Sequence, residues 1–146
     1  MLFNPQTNHL IPRNLLHVTI DIGGVNINVF TTQGIWGKDD KDNLQRTKMS
    51  EIITNKIHDL TNVILSGDFN VDQNSQAIAK IEKELKNAFK NELKSSFNLN
   101  WKKEPGFAIS VVDFIFVSSN IKVLDHHMPQ VNISDHMPLV ATLELN

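Results

Sequence analysis

Three short polar motifs carry the residue types that hydrolytic chemistry needs. They are Ser-Gly-Asp-Phe-Asn at residues 66–70, Asp-Phe-Ile-Phe at residues 113–116 and Ser-Asp-His at residues 134–136. Each motif lies beside or within an apolar run, and loops at strand ends are where α/β proteins assemble their active sites. Together the motifs supply carboxylates, a carboxamide and an imidazole. This set of groups predicts a metal-assisted phosphoester hydrolase.

The first motif offers two groups that can act on a phosphate ester. Asp68 can orient or deprotonate an attacking water, and Asn70 can donate its amide N–H to a phosphoryl oxygen. Gly, Asp and Asn are also the usual residues of a turn that follows a strand. From this motif alone the catalytic and the structural interpretation stay equally open.

The other two motifs suggest an acid paired with a histidine. Asp113 lies in an apolar run, and a buried carboxylate needs a partner, for which His136 and a lysine are both candidates. When it is protonated, His136 can donate to the scissile phosphate, and Asp135 would be a metal-side or polarising acid. The alternative is a surface turn that carries an ordinary histidine.

The remaining candidates for chemistry are weak. His126 and His127 are adjacent, so a strand would send them to opposite faces, and we interpret them as loop residues that do not chelate a metal together. The histidine spacing matches no zinc site, and no phosphate-binding loop or nucleophile elbow is present.

Composition sets broad limits on the function. The 146 residues suit one domain with a hydrophobic core, and 40% hydrophobic content argues against disorder. A net charge of -2 gives no global attraction to nucleic acid or anionic membranes, although a bound cation would supply local positive charge. The chain has no cysteine, no visible signal peptide and no apolar run long enough to span a membrane, so we expect a cytoplasmic protein.

The apolar pattern predicts the order β-β-α-β-α-β-β-β in one α/β domain. Strands are expected at 15–21 and 25–31 around a Gly-Gly turn, at 63–66, 107–118, 121–124 and 139–145. One helix is predicted over 44–60. A second is predicted from a cap at Asn74 or Ser75 to Leu93, with an apolar stripe that includes Leu85 and Phe89. Residues 1–13 are expected to form an irregular lead-in and residues 14–146 the domain.

Taken together and in this order, the three motifs resemble those of the endonuclease/exonuclease/phosphatase superfamily, which is DNase I-like. The resemblance runs from about residue 15 to residue 145. Residues 63–70 match a family pattern of a strand followed by Gly-Asp-Phe-Asn, and residues 113–118 match the strand Asp-Tyr-Ile-Phe-Val-Ser. Residues 134–139 match the terminal pattern Ser-Asp-His-x-Pro-Leu. It implies an α/β fold that is the C-terminal half of a four-layer sandwich, with one mixed, mainly antiparallel sheet and helices on one face. The front half of the family domain is expected to be missing.

The resemblance also implies roles for individual residues. Asp68 would position or activate the water, Asn70 would bind the phosphate, and Asp113 would orient His136 against a phosphoryl oxygen. Asp135 would lie beside a Mg²⁺ or Mn²⁺ ion, and the reaction would be in-line attack of water on phosphorus. Gln33 occupies the position of a family histidine and is expected to bind substrate. Glutamine can still form hydrogen bonds there, but it cannot carry charge.

The missing front half has two consequences. No glutamate in this chain can be assigned the metal-binding role that the family gives to one in its front half, and one sheet face is expected to be apolar and uncovered. The expected partners are a phosphate-ester substrate and either a front-half chain or a second copy. The alternatives to a phosphoesterase are a catalytically inactive remnant and an interaction module. The sequence leaves the substrate class open among nucleic acid, lipid head group and sugar phosphate.

Overall fold

A mixed five-stranded sheet is the main element of the protein, which is represented by a computed structural model. The structure describes the backbone of residues 2–4 and 9–11 and the whole of residues 13–37, 39–90 and 92–145. The strands of the sheet are β3 (Leu15–Ile22), β4 (Val25–Gln33), β5 (Val63–Asp68), β6 (Lys86–Asn87) and β7 (Asp113–Val117). Their order across the sheet is β3-β4-β5-β7-β6.

Two short strands precede this sheet. β1 (Leu2–Asn4) and β2 (His9–Ile11) pair antiparallel with each other. The prediction of an irregular lead-in is therefore wrong at these six residues, because the two segments pair with each other, which a local pattern does not record. The proposed boundary after residue 13 stays a prediction.

The first two strands of the sheet form the predicted hairpin. Gly23 and Gly24 have φ angles of 63° and 88°, and the Asp21 carboxylate accepts a hydrogen bond from the Gly24 N–H at 2.8 Å. Positive φ at both turn residues matches the twist of the flanking strands, which explains the glycine pair. The prediction of the hairpin is confirmed.

A helix connects the hairpin to the middle of the sheet. α1 (Leu44–Ile57) is capped by Asn43, whose side chain accepts from the Arg46 N–H. It links β4 to β5, which are parallel neighbours and need such a crossover. The helix is confirmed, although it ends at Ile57 rather than at residue 60. Of its apolar residues, Met49, Ile53 and Ile57 are buried, whereas Leu44 and Ile52 are exposed.

The second predicted helix is much shorter than expected. α2 (Gln76–Ile81) has the predicted cap at Ser75, but the chain then turns and forms β6 at the sheet edge. The prediction of a helix to Leu93 is wrong, because residues 86–87 pair with the open edge of β7. Leu85 and Phe89 are nevertheless buried. Tertiary pairing overrides the helical pattern here.

The last part of the chain also departs from the prediction. Residues Pro105–Ile109 form a 3₁₀ helix, so β7 begins at Asp113 rather than at Phe107, and the proline favours a helical start. β8 (Ile121–His127) and β9 (Val140–Leu145) pair with each other in a separate two-stranded sheet. The single sheet expected from the sequence is thus divided.

The two faces of the five-stranded sheet differ strongly. Phe30, Leu65 and Phe116 are paired across β4, β5 and β7, and they pack under α1 and α2 in one apolar core. The opposite face carries an apolar row on β3 that consists of Leu16, Val18, Ile20 and Ile22, which are 45–57% exposed. Helices on one face and an uncovered apolar row on the other agree with the expected architecture.

No helix within the described ranges is both long and apolar enough to cross a membrane.

Candidate active site

Three neighbouring strands bring their polar ends together on the uncovered face. Gln33 of β4 is paired with Asp68 of β5, and Asp68 is paired with Asp113 of β7. Directly paired residues project from the same face of a sheet, so the three side chains form one row across it. The register thus brings together residues that are 35 and 45 positions apart in the sequence.

Asp68 and Asn70 form a closed local arrangement. Asn70 has a φ of 53°, and both its backbone N–H and its Nδ2 donate to the Asp68 carboxylate, at 2.8 and 3.0 Å. The same amide also donates to the Gly34 carbonyl at 3.3 Å. Asparagine tolerates this left-handed backbone better than most residues. The motif therefore forms the turn that its residue types suggested, and in this turn Asn70 orients the Asp68 carboxylate.

The histidine partner of Asp113 is His136. His136 Nδ1 lies 2.8 Å from Asp113 Oδ2, and both side chains are partly buried. With Nδ1–H donating to the carboxylate, Nε2 is the nitrogen left for another partner. The structure thus brings together the histidine–aspartate pair that the sequence suggested, and no lysine among the described residues bonds to Asp113.

A segment before β7 holds both members of this pair. Ser96 is fully buried, and its Oγ accepts hydrogen bonds from the N–H groups of Val112 and Asp113 at 3.0 and 3.3 Å. The next residue, Phe97, forms a β-bridge with His136, and their rings lie 4.6 Å apart. The sequence analysis missed both residues, and no local motif marks them, because their role depends on contacts across 16 to 39 positions.

The charges of the site are coupled. Burial, followed by the neighbouring Asp113 carboxylate, raises the pKa of Asp68. The hydrogen bond that His136 donates to Asp113 raises the pKa of His136 despite partial burial. A carboxylate with a raised pKa accepts a proton more readily from water, and a histidine with a raised pKa stays cationic to higher pH. Asp68 and His136 thus place a base and a positively charged hydrogen-bond donor side by side.

Asp135 lies next to this group but faces a different partner. Its carboxylate forms an ion pair with Lys102 Nζ at 3.1 Å, which lowers the pKa of Asp135. Lys102 also lies 5.2 Å from the centre of the Phe107 ring. Lys102 is a third residue that the sequence analysis missed. The predicted metal role of Asp135 stays a prediction.

Gln33 and the two adjacent histidines, His126 and His127, each form a side-chain hydrogen bond outside the Asp68–Asp113–His136 group. Gln33 is exposed and accepts a hydrogen bond from Arg13 Nη1 at 3.3 Å. His126 and His127 lie in β8, so their assignment to a loop is wrong, since the strand extends to His127. They contact different acids, His126 with Glu92 at 2.6 Å and His127 with Asp125 at 3.2 Å.

One group of three side chains within the described residues is close enough to hold a metal ion. The donor atoms of Asp68, Asp113 and His136 lie within 4.8 Å of one another. The two carboxylates offer the oxygen donors that Mg²⁺ and Mn²⁺ prefer. His136 fits such an ion poorly, because Asp113 holds its Nδ1 and its raised pKa favours an imidazolium. The carboxylates suit a divalent cation, and the imidazole suits a phosphate oxygen.

Comparison with known structures identifies the fold. The chain is similar to an endonuclease/exonuclease/phosphatase family protein from Bacteroides thetaiotaomicron, with a TM-score of 0.73 and 24% identity over 94% of this chain and 57% of that one. For a mannosyl-6-phosphatase from B. thetaiotaomicron the TM-score is 0.67 and the identity 24%, over 84% and 53% of the two chains. For D. rerio TDP2 in complex with a single-strand DNA product, the TM-score is 0.72 and the identity 18%, over 90% of this chain and 62% of that one.

These similarities establish the fold and its extent. The chain has the DNase I-like fold of endonuclease/exonuclease/phosphatase proteins and spans 53–62% of the length of these three structures. No protein-family model matches the sequence, and no curated protein does either. The fold expected from the three motifs is confirmed.

Proposed function

We propose that this chain supplies the phosphate-side residues of a divalent-metal-dependent phosphoesterase. The observation that carries the proposal is the Asp113–His136 pair, which lies beside the Asp68–Asn70 turn at the ends of adjacent strands. The similar structures include a phosphatase and a protein bound to a DNA product, so they are consistent with phosphate-ester substrates. The fold alone does not select an activity, and the argument therefore rests on the site.

The residues divide the hydrolysis of a phosphate ester between them. Water forms the new bond to phosphorus while the bond to the leaving oxygen breaks. Asp68 takes a proton from the water, and the leaving oxygen takes one from solvent and departs as the alcohol. Protonated His136, oriented by Asp113, donates from Nε2 to a phosphoryl oxygen as negative charge develops there. Asn70 holds Asp68 in place, and we assign substrate binding to Asn70 and Gln33.

A divalent cation completes the proposal. We propose Mg²⁺ or Mn²⁺, with Asp135 beside it, because the carboxylates at this end of the sheet are the donor type that these ions prefer. When bound, the ion would add positive charge that stabilises the phosphate in the transition state.

Hydrolysis assays with a matched histidine control test the function. The purified chain is incubated with Mg²⁺ or Mn²⁺ and plasmid DNA, bis(p-nitrophenyl) phosphate or a hexose phosphate. We expect metal-dependent product release that His136→Ala lowers by about 10²–10⁴-fold, the usual contribution of a positioned acid or base. His127→Ala, which removes an exposed histidine bonded to Asp125, should change nothing.

A folded chain that releases no product with either cation contradicts the proposal for this chain by itself. That result would favour the second candidate, a non-catalytic remnant or interaction module. The observation in favour of the second candidate is the exposed apolar row on β3, which is the kind of surface that binds another protein.

A further inference from the structure

A cavity of about 490 Å³ lies directly beside the candidate active site. Asn70 forms part of its wall, as do Trp36, Phe97, Phe107 and Glu104. Its size lies within the range of small-molecule sites in proteins. None of the roles proposed above uses it.

Two contacts connect the cavity to the site. Asn70 binds the Asp68 carboxylate at 3.0 Å and also lines the cavity. Phe97 lines it too, and its ring lies 4.6 Å from that of His136. A phosphate held between Asp68 and His136 would therefore have this cavity next to it, with room for the group on the other side of the ester.

Aromatic rings form the walls of the cavity. Trp36 is 60% exposed although it is large and apolar, and Phe97 and Phe107 pack edge to face at 4.7 Å. A tryptophan that is exposed on a wall of a cavity offers a flat apolar surface to a ligand.

A buried arginine fixes the segment that carries Trp36. Arg46 is 1% exposed, and its guanidinium donates to the carbonyl groups of Ile35, Asp39 and Lys41. These bonds hold the backbone on both sides of Trp36. Because the wall is formed before a ligand arrives, little ordering cost remains for binding.

The charge of the lining argues against a polyanionic ligand. Three acids, Asp39, Asp40 and Glu104, line the cavity together with the one buried guanidinium of Arg46. The Asp40 carboxylate already accepts a hydrogen bond from Ser110. Further phosphates entering here would be repelled by the carboxylates, whereas hydroxyl groups would donate hydrogen bonds to them.

We propose that this cavity binds the alcohol part of the substrate and that this part is a neutral, hydroxylated ring such as a hexose. The apolar face of the ring would pack on Trp36, and its hydroxyl groups would donate to carboxylates such as Glu104. The substrate class is then a sugar phosphate rather than a polynucleotide. This inference rests on the proposed phosphoesterase function for its phosphate site.

The two tryptophans of the chain allow a binding test that needs no turnover. Trp101→Phe leaves Trp36 as the only tryptophan, and Trp36→Phe leaves Trp101, which is similarly exposed but does not line the cavity. Each variant is titrated with mannose 6-phosphate, with inorganic phosphate and with a single-stranded oligonucleotide while tryptophan emission is recorded.

We expect mannose 6-phosphate to change the emission of Trp36 saturably, with an affinity between about 1 μM and 1 mM, and to leave Trp101 unaffected. Inorganic phosphate should leave Trp36 unaffected, since it does not reach the ring subsite. The inference is overturned when a folded Trp101→Phe chain gives no response up to about 10 mM, above the usual range of substrate affinities. A stronger response to the oligonucleotide than to the sugar phosphate overturns it as well.

A charge variant tests the same inference separately. Glu104→Gln should weaken mannose 6-phosphate about tenfold, as expected when a charge-assisted hydrogen bond becomes a neutral one, and should strengthen oligonucleotide binding. Glu84→Gln, which changes an exposed acid that does not line the cavity, should alter neither. Unchanged affinities in Glu104→Gln contradict the inference.

The two proposals fail in different ways. A Trp36 response without any metal-dependent hydrolysis counts against the phosphoesterase and leaves the subsite intact. Hydrolysis without a Trp36 response counts against the subsite alone.

Discussion

At the scale of single residues, the site depends on how Asp113 changes His136. The carboxylate accepts from Nδ1 at 2.8 Å and raises the pKa of the imidazole. Because this pKa is raised, the pair stabilises the fold fully below the ordinary histidine value of about 6.5. That contribution is lost as the pH rises through the higher value of the folded protein. The positive donor proposed for catalysis is lost over the same pH window.

Asp113→Asn should therefore lower the pKa of His136. The amide keeps the shape of the carboxylate but removes its charge, so the imidazolium loses its main stabilising partner. The measurement is an NMR titration of the histidine ring protons, with the His136 signal assigned by its absence in His136→Gln. Asp125→Asn serves as the control, because the Asp125 carboxylate contacts His127, and it should leave the His136 titration unchanged.

This titration distinguishes an electrostatic pair from simple packing. If the pKa of His136 in Asp113→Asn equals that in the unmodified chain, the carboxylate does not control the charge of the histidine. The proposed role of Asp113 would then be wrong, although the fold would still be correct.

At the scale of elements, Gly67 allows β5 to run close beside β4. Gly67 has a φ of 144°, and a Cβ placed there would collide with the carbonyl oxygen of Thr32 on β4. Asp68 follows immediately, so the same backbone conformation sets the direction in which the site carboxylate leaves the strand. The glycine of the first motif is needed for backbone geometry rather than for chemistry.

Gly67→Ala should destabilise the protein by about 3 kcal/mol or more, since it combines an unfavourable φ with a backbone collision. Gly24→Ala is the matched control, because Gly24 also has a positive φ of 88° but nothing lies within 4 Å of its added Cβ. It should cost only about 1–2 kcal/mol. Urea unfolding followed by circular dichroism measures both, and equal losses would contradict the steric argument.

At the scale of the whole molecule, the uncovered apolar row on β3 is the dominant feature. Leu16, Val18, Ile20 and Ile22 lie on the face that also carries the site, and each is close to half exposed. Exposed apolar surface of this kind favours association. We propose that a second copy of the chain, or a front-half chain, covers it.

The purified chain should therefore self-associate when no other partner is present. Replacing Val18 and Ile20 together by lysine should shift it toward a monomer, because burying two ammonium groups is costly. Analytical ultracentrifugation over a range of concentrations measures the shift. Leu44→Lys, at a residue on α1 that is 86% exposed, should leave association unchanged. A monodisperse monomer of the unmodified chain would contradict this prediction.

The sequence by itself determined the local elements and the chemical groups. The Gly-Gly turn specified the β3–β4 hairpin, Ser75 was one of two predicted caps for the start of α2, and the three motifs named the groups that meet in the site. These features follow from backbone preferences and from short-range hydrogen bonds, which a linear pattern records directly.

Only the tertiary structure decided which distant groups meet. Residues predicted to end a helix instead pair with the edge of β7 and form β6. β8 and β9 form a separate sheet. The contacts of Ser96 with β7, of Phe97 with His136 and of Arg46 with the Trp36 segment also depend on strand register and burial. Such contacts join residues up to 39 positions apart and depend on the packing of separate elements, so no local pattern specifies them. Two of these residues, Phe97 and Arg46, line the cavity beside Asn70.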